Sequence, residues 1–124
     1  MPFQVKTTVN LTEQQVYDLL VTAREGGSNY WIDSYVSTAP AESFTPVDGE
    51  VYKFADYPLH GGSITITHDE TEKAILNLEN IQSGLQVMAN KYNRHFTDLL
   101  NDNMDAITAD VFLQCCVFGE LVYG

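Results

Sequence analysis

Ser63-Ile64-Thr65-Ile66-Thr67-His68-Asp69-Glu70-Thr71-Glu72-Lys73-Ala74-Ile75-Leu76-Asn77-Leu78 is the stretch on which the fold class turns. Ser63 to Thr67 is rich in β-branched residues, which suit a pleated, half-buried surface. His68 to Glu72 is a polar turn, and Ala74 to Leu78 leads the chain back. Two such runs joined by so short a turn predict a hairpin. The segments on both sides carry helical periodicity. The expected class is therefore α+β, a small antiparallel sheet packed against two or three helices.

Downstream, Ile81, Leu85, Met88, Tyr92, Phe96 and Leu99 recur at spacings of three and four and predict one amphipathic helix. Gly84 inside it costs about 1 kcal/mol relative to alanine and marks close packing. Asn101-Asp102-Asn103 ends the helix. Asp105 is the expected N-cap of the next one, which runs through Val111-Phe112-Leu113 and Cys115-Cys116-Val117-Phe118 to a stop at Gly119. That helix is apolar on most sides, so it is expected to be buried at the centre of the core. Glu120 to Tyr123 reads as a last, short edge strand.

Upstream, Thr12 and Gln15 form a capping box, with Leu11 and Val16 as the hydrophobic staple. Val16, Leu19, Leu20 and Ala23 give that helix its apolar stripe, and Gly26 stops it. Before it, Phe3, Val5, Thr7 and Val9 alternate with Gln4, Lys6, Thr8 and Asn10, the pattern of a half-buried strand. Residues 29–36 suit a helical face or a strand. Residues 37–50, with Pro40, Pro46 and Gly49, read as a loop. Val51 to Phe54 is expected to be a short strand and Tyr57 to Gly62 a turn. The 124 residues read as a single α+β domain.

Seventeen acidic residues against six basic ones give a net charge of −11, spread over both halves of the chain. Such a surface repels nucleic-acid phosphates and anionic membranes and favours a basic partner. No apolar run approaches the roughly 20 residues that span a bilayer, and no basic-then-apolar leader opens the chain. A soluble, intracellular protein without direct nucleic-acid or membrane contact is expected. The adjacent Cys115 and Cys116 would close a strained ring, so both are expected reduced and buried.

The chain has no phosphate-loop Gly-Lys-Ser/Thr, no Gly-x-Ser-x-Gly elbow and no His-Glu-x-x-His. No catalytic residue, metal or cofactor is expected. Of His60, His68 and His95, only His60, beside Gly61-Gly62 and near Tyr57, has a site-like setting. Asp110 lies in the most apolar helix; it either faces out or is buried with hydrogen-bond partners, and exposure is expected. The richest group is Arg24, Glu25, Asn29, Tyr30, Trp31 and Tyr35. Stacking aromatics with a few polar groups suit a flat, nucleotide-like ligand, and Arg24, Lys91 or Arg94 could meet its phosphate. The candidate ligand-binding set is Arg24, Glu25, Asn29, Tyr30, Trp31, Tyr35 and His60. The competing reading puts Trp31 in the core.

The run Thr-Ala-x-Glu-Gly-Gly-x-Asn-Tyr-Trp at Thr22 to Trp31 resembles a group of short, uncharacterised phage and prophage proteins. The likeness extends to Leu11-Thr12-Glu13, Gly61-Gly62, Gly84-Leu85, Ala109-Asp110 and the closing Phe-Gly-Glu-x-Val-Tyr-Gly at Phe118 to Gly124. Arg24 departs from the apolar residue expected at its position. The resemblance implies an accessory protein of a mobile element, acting in the cytoplasm of a host bacterium against host defence. It would either sequester a nucleotide-like small molecule or, as an acidic nucleic-acid mimic, occupy a basic host defence protein. A homodimer is expected, because a carboxy-terminal edge strand needs covering.

Overall fold

The computed structural model describes residues 2–124. Helix α1 (Glu13–Thr22) begins where the sequence says it should. Thr12 Oγ1 accepts the Gln15 N–H, and the Gln15 side chain accepts the Thr12 N–H in return. A π-helical turn, Ala23–Gly27, follows without a break, and strand β1 (Ser34–Thr38) comes after it. Next are helix α2 (Lys53–Leu59), the hairpin strands β2 (Ser63–His68) and β3 (Glu72–Leu76), and helices α3 (Leu78–Lys91), α4 (Asn93–Leu100) and α5 (Ala106–Phe118). The class is α+β.

The sheet is antiparallel with order β1-β2-β3. Tyr35, Ile66 and Ala74 lie in one row across it, and Ser37, Ile64 and Leu76 in the next. Ile64, Ile66, Ala74 and Leu76 are buried on its inner face, against the helices. The neighbouring row, Val36, Thr65 and Ile75, belongs to the outer face. Helix α5 forms the middle of the core: every residue from Thr108 to Cys116 is buried. Its amino end carries an Asp105–Thr108 capping box and its carboxy end stops at Gly119 in the left-handed conformation. Helix α3 lies close against it. A Cβ on Gly84 would stand 2.5 Å from the Cys116 Cα, so only glycine allows this approach.

Five expectations are corrected, one of them the turn at Tyr57 to Gly62, whose first three residues, Tyr57 to Leu59, are the last of α2. Residues 2–10 form no strand and are exposed throughout. Alternation alone cannot hold a strand that has no neighbour to pair with. Val51 to Phe54 is not a strand, because Lys53 and Phe54 open α2. The Asp56 carboxylate accepts the N–H groups of Tyr52 (2.8 Å) and Val47 (3.1 Å), which turns the chain into a helix start there. The long helix divides at Tyr92 into α3 and α4. The Asn93 side chain donates to the Ala89 carbonyl (3.4 Å), the acceptor that an unbroken helix would offer to Asn93's own N–H. Finally, Glu120 to Tyr123 is not a strand. The Gln114 side chain binds this segment instead, accepting from Val122 N–H (2.8 Å) and Tyr123 N–H (2.9 Å) and donating to the Tyr123 carbonyl (3.2 Å).

Candidate functional site

Asp110 is buried, contrary to the exposure expected of it. Its Oδ1 accepts Ser28 Oγ–H (2.8 Å) and Trp31 Nε1–H (2.7 Å); its Oδ2 accepts Tyr30 O–H (2.5 Å) and Gln114 Nε2–H (3.1 Å). Four donors around one carboxylate compensate its removal from water. Burial and the bond to Asp110 push the Tyr30 hydroxyl up to about 12. Through Asp110 and Gln114, the Gly-Gly-x-Asn-Tyr-Trp segment and the carboxy-terminal segment are joined to one helix.

Trp31 is therefore a core residue. It is 4% exposed and stacks on Tyr123 with the rings 3° from parallel and their centres 5.5 Å apart. Phe118 and His68 close the remaining sides. No face of the indole is open to a ligand, which corrects the expectation that it stacks on one. Gly27 serves the same junction, since a Cβ there would stand 2.4 Å from the Ala106 carbonyl oxygen. Cys115 and Cys116 are free and buried, as expected; burial pushes the Cys115 thiol up to about 11 and that of Cys116 well above its ordinary value.

Two concavities flank the motif. The first, about 450 Å³, is lined by Gly26, Gly27, Tyr30, His95, Ile107 and Leu121 among others. It is mostly apolar, and the acceptor positions of its one acidic side chain, Asp110, are already taken. The second, about 390 Å³, is lined by Arg24, Glu25, Tyr35, Val51, Tyr52, Lys53 and Phe54. Two of the six cations of a strongly acidic chain line it.

The second concavity is built by the π-helical turn, in which Ser28 N–H reaches back five residues to the Ala23 carbonyl (2.8 Å). Such turns are rare and gather at functional sites. This one carries Arg24 and Glu25 side by side. The Arg24 guanidinium lies over the Tyr35 ring, 5.0 Å from its centre, and donates to Asn29 Oδ1 (3.2 Å). Tyr52 O–H donates to Glu25 Oε1 (2.6 Å), and burial followed by this carboxylate raises the Tyr52 pKa. Among the described residues, no hydrogen bond or ion pair holds the Lys53 ammonium. The arrangement offers two cations, one fixed and one free, beside tyrosine rings.

Of the expected ligand set, Arg24, Glu25 and Tyr35 meet here, with Asn29 orienting the arginine. Tyr30 lies at the first concavity and Trp31 in the core. His60 sits apart at the end of α2, stacked on Phe44 and 3.5 Å from a Glu13 carboxylate oxygen. Lys91 and Arg94 line neither concavity. Sequence reasoning missed Tyr52 and Lys53, because it took them for a strand. No sequence signal marked this helix start, because Tyr52 makes no side-chain cap and Asp56 bonds its N–H from the fourth helical position, not the third. It also missed Gln114. Two polar residues one turn apart on an apolar helix, Asp110 and Gln114, are the mark of a shared buried network.

No family model matches the chain, and no curated protein or solved structure matches it.

Proposed function

We propose that the protein binds and sequesters a small, flat, anionic ligand of nucleotide type in the concavity formed by Arg24, Tyr35, Tyr52 and Lys53. The observation that carries this reading is the convergence of Arg24 and Lys53 on one concavity of a chain with net charge −11. Charge-assisted bonds to phosphate and stacking on a tyrosine are the chemistry these groups supply. Phosphate and ring would be bound without turnover, so this is a binding protein and not an enzyme. In the setting implied by the resemblance to phage proteins, the ligand is a nucleotide signal of host defence, withdrawn by binding.

Calorimetry with adenosine and guanosine monophosphates, diphosphates and cyclic dinucleotides tests this. Arg24→Ala and Lys53→Ala should each weaken binding of the preferred nucleotide about tenfold to a hundredfold, the loss of one charge-assisted bond. His60→Ala should leave it unchanged. Absence of binding across the panel, or binding indifferent to both cations, would overturn the proposal.

One observation favours a second reading, the acidic mimic. Of the seventeen acids only Asp56 and Asp110 are buried, so the negative charge lies on the outside, where a basic groove of a host protein could meet it. A salt-sensitive complex with such a protein, unaffected by Arg24→Ala, would select it.

A further inference from the structure

We infer that residues 2–10 are an exchange arm that pairs, as a fourth strand, with the free edge of β1 in a second copy of this chain. The arm has the sequence of a strand and the surroundings of none. Phe3, Val5, Thr7 and Val9 alternate with polar residues, yet Phe3 is 99% and Val5 85% exposed. No hydrogen bond ties residues 2–10 to the rest of the described chain. An apolar face of this kind, left in water, gains by burial against a partner.

The edge it fits is one that every copy of the chain carries. β1 is the outer strand of a three-stranded sheet, and among the described residues only β2 bonds to its backbone. Its sequence, Ser34-Tyr35-Val36-Ser37-Thr38, has none of the lysines, prolines or inward charges that usually blunt an edge. The opposite edge, on β3, is partly closed: Asn80 Nδ2–H donates to the Ile75 carbonyl (2.7 Å). Beside β1 the outer sheet face presents Val36, 70% exposed, in register with Thr65 and Ile75. A strand added there sets its apolar side next to Val36 and extends that row. Residues 3–9 are long enough to cover the five residues of β1.

Charge names the partner. Lys6 is the only charged side chain before Glu13, so the arm is basic while the body that follows holds all seventeen acids. A basic strand on an acidic chain is drawn to another acidic surface, and a second copy supplies both that surface and the matching edge.

Light scattering during gel filtration reads the oligomeric state of the full chain, of a chain lacking residues 2–10 and of Val36→Lys. The full chain should be dimeric and both variants monomeric, with unchanged circular dichroism from the helices. Mixing Val5→Cys chains with Val36→Cys chains under mild oxidation should give a disulfide-linked pair, because Cys115 and Cys116 are buried and do not compete. A monomeric full chain, or a dimer that survives removal of the arm, would overturn the inference. So would a double variant, Val5→Cys with Val36→Cys, that closes its disulfide only within one chain.

Discussion

At the scale of residues, the decisive group is a carboxylate that satisfies four donors. Ser28 and Gln114 are fully buried and Trp31 nearly so, and each directs a donor at Asp110. Asp110→Ala leaves the Ser28 hydroxyl and the Trp31 N–H without an acceptor, while Gln114 keeps the Tyr123 carbonyl and the Tyr30 hydroxyl, and an unsatisfied buried donor costs about 1–3 kcal/mol. Water entering the space would recover part of that. A net loss of about 3 kcal/mol or more in unfolding free energy is expected, measured by urea denaturation. Trp31 is the only tryptophan, so its emission should shift to the red in the folded variant as the ring meets water. A loss below about 1 kcal/mol would show that the network contributes little. This residue also explains why the sequence misled over Trp31. Asn-Tyr-Trp after two glycines looks like a pocket wall, and it becomes a core corner only because an acceptor 79 positions away meets its N–H. No local pattern encodes that contact.

Secondary-structure elements were legible where local chemistry specified them. The start of α1 was readable from Thr12 and Gln15, the hairpin from its β-branched runs, and α5 from Asp105 and Gly119. Elements whose form depends on distant partners were not legible. The carboxy-terminal segment looks like a strand, but the Gln114 side chain replaces the neighbour a strand requires. At the break Tyr92 leaves helical geometry (φ −126°, ψ 47°) and its hydroxyl accepts the N–H of Leu121, 29 positions on, which apolar periodicity does not register. Gly84 was readable as a point of close packing, and it yields a test of the α3–α5 contact. Alanine raises helix propensity by about 1 kcal/mol. Its Cβ would meet the backbone of Cys116 at 2.5 Å, and overpacking of this kind costs about 1–3 kcal/mol. Because a backbone atom cannot move aside as a side chain can, Gly84→Ala should destabilise on balance. Gly26→Ala, in the π-helical turn with no atom within 4 Å of the new Cβ, is the control and should stabilise by up to about 1 kcal/mol. Equal urea midpoints for the two variants would remove the contact from the account.

For the whole molecule the governing quantity is charge, and here the balance is one-sided. The net charge is −11, and among the described residues only His60 comes within 4 Å of a carboxylate as an ion-pair partner, at 3.5 Å from Glu13 and 3.8 Å from Asp56. No lysine or arginine among them does so. Added salt therefore screens repulsion between surface acids and has few attractions to weaken. Raising sodium chloride from about 0.01 M to 0.5 M shortens the screening length from roughly 30 Å to under 10 Å. Unfolding spreads the charges apart, so the compact state benefits more from screening than the unfolded one. The expected result at neutral pH is a stabilisation on the order of 1 kcal/mol, a rise of about 3–6 °C in Tm for a chain of this size. Calorimetric scans across that salt range measure it. The same series near pH 4.3, where the sequence reaches zero net charge, separates screening from any general effect of salt on apolar burial. There the rise should shrink. A rise of equal size at both pH values would assign the effect to apolar burial. A fall at neutral pH would mean that Lys or Arg attractions outweigh the repulsion among the acids.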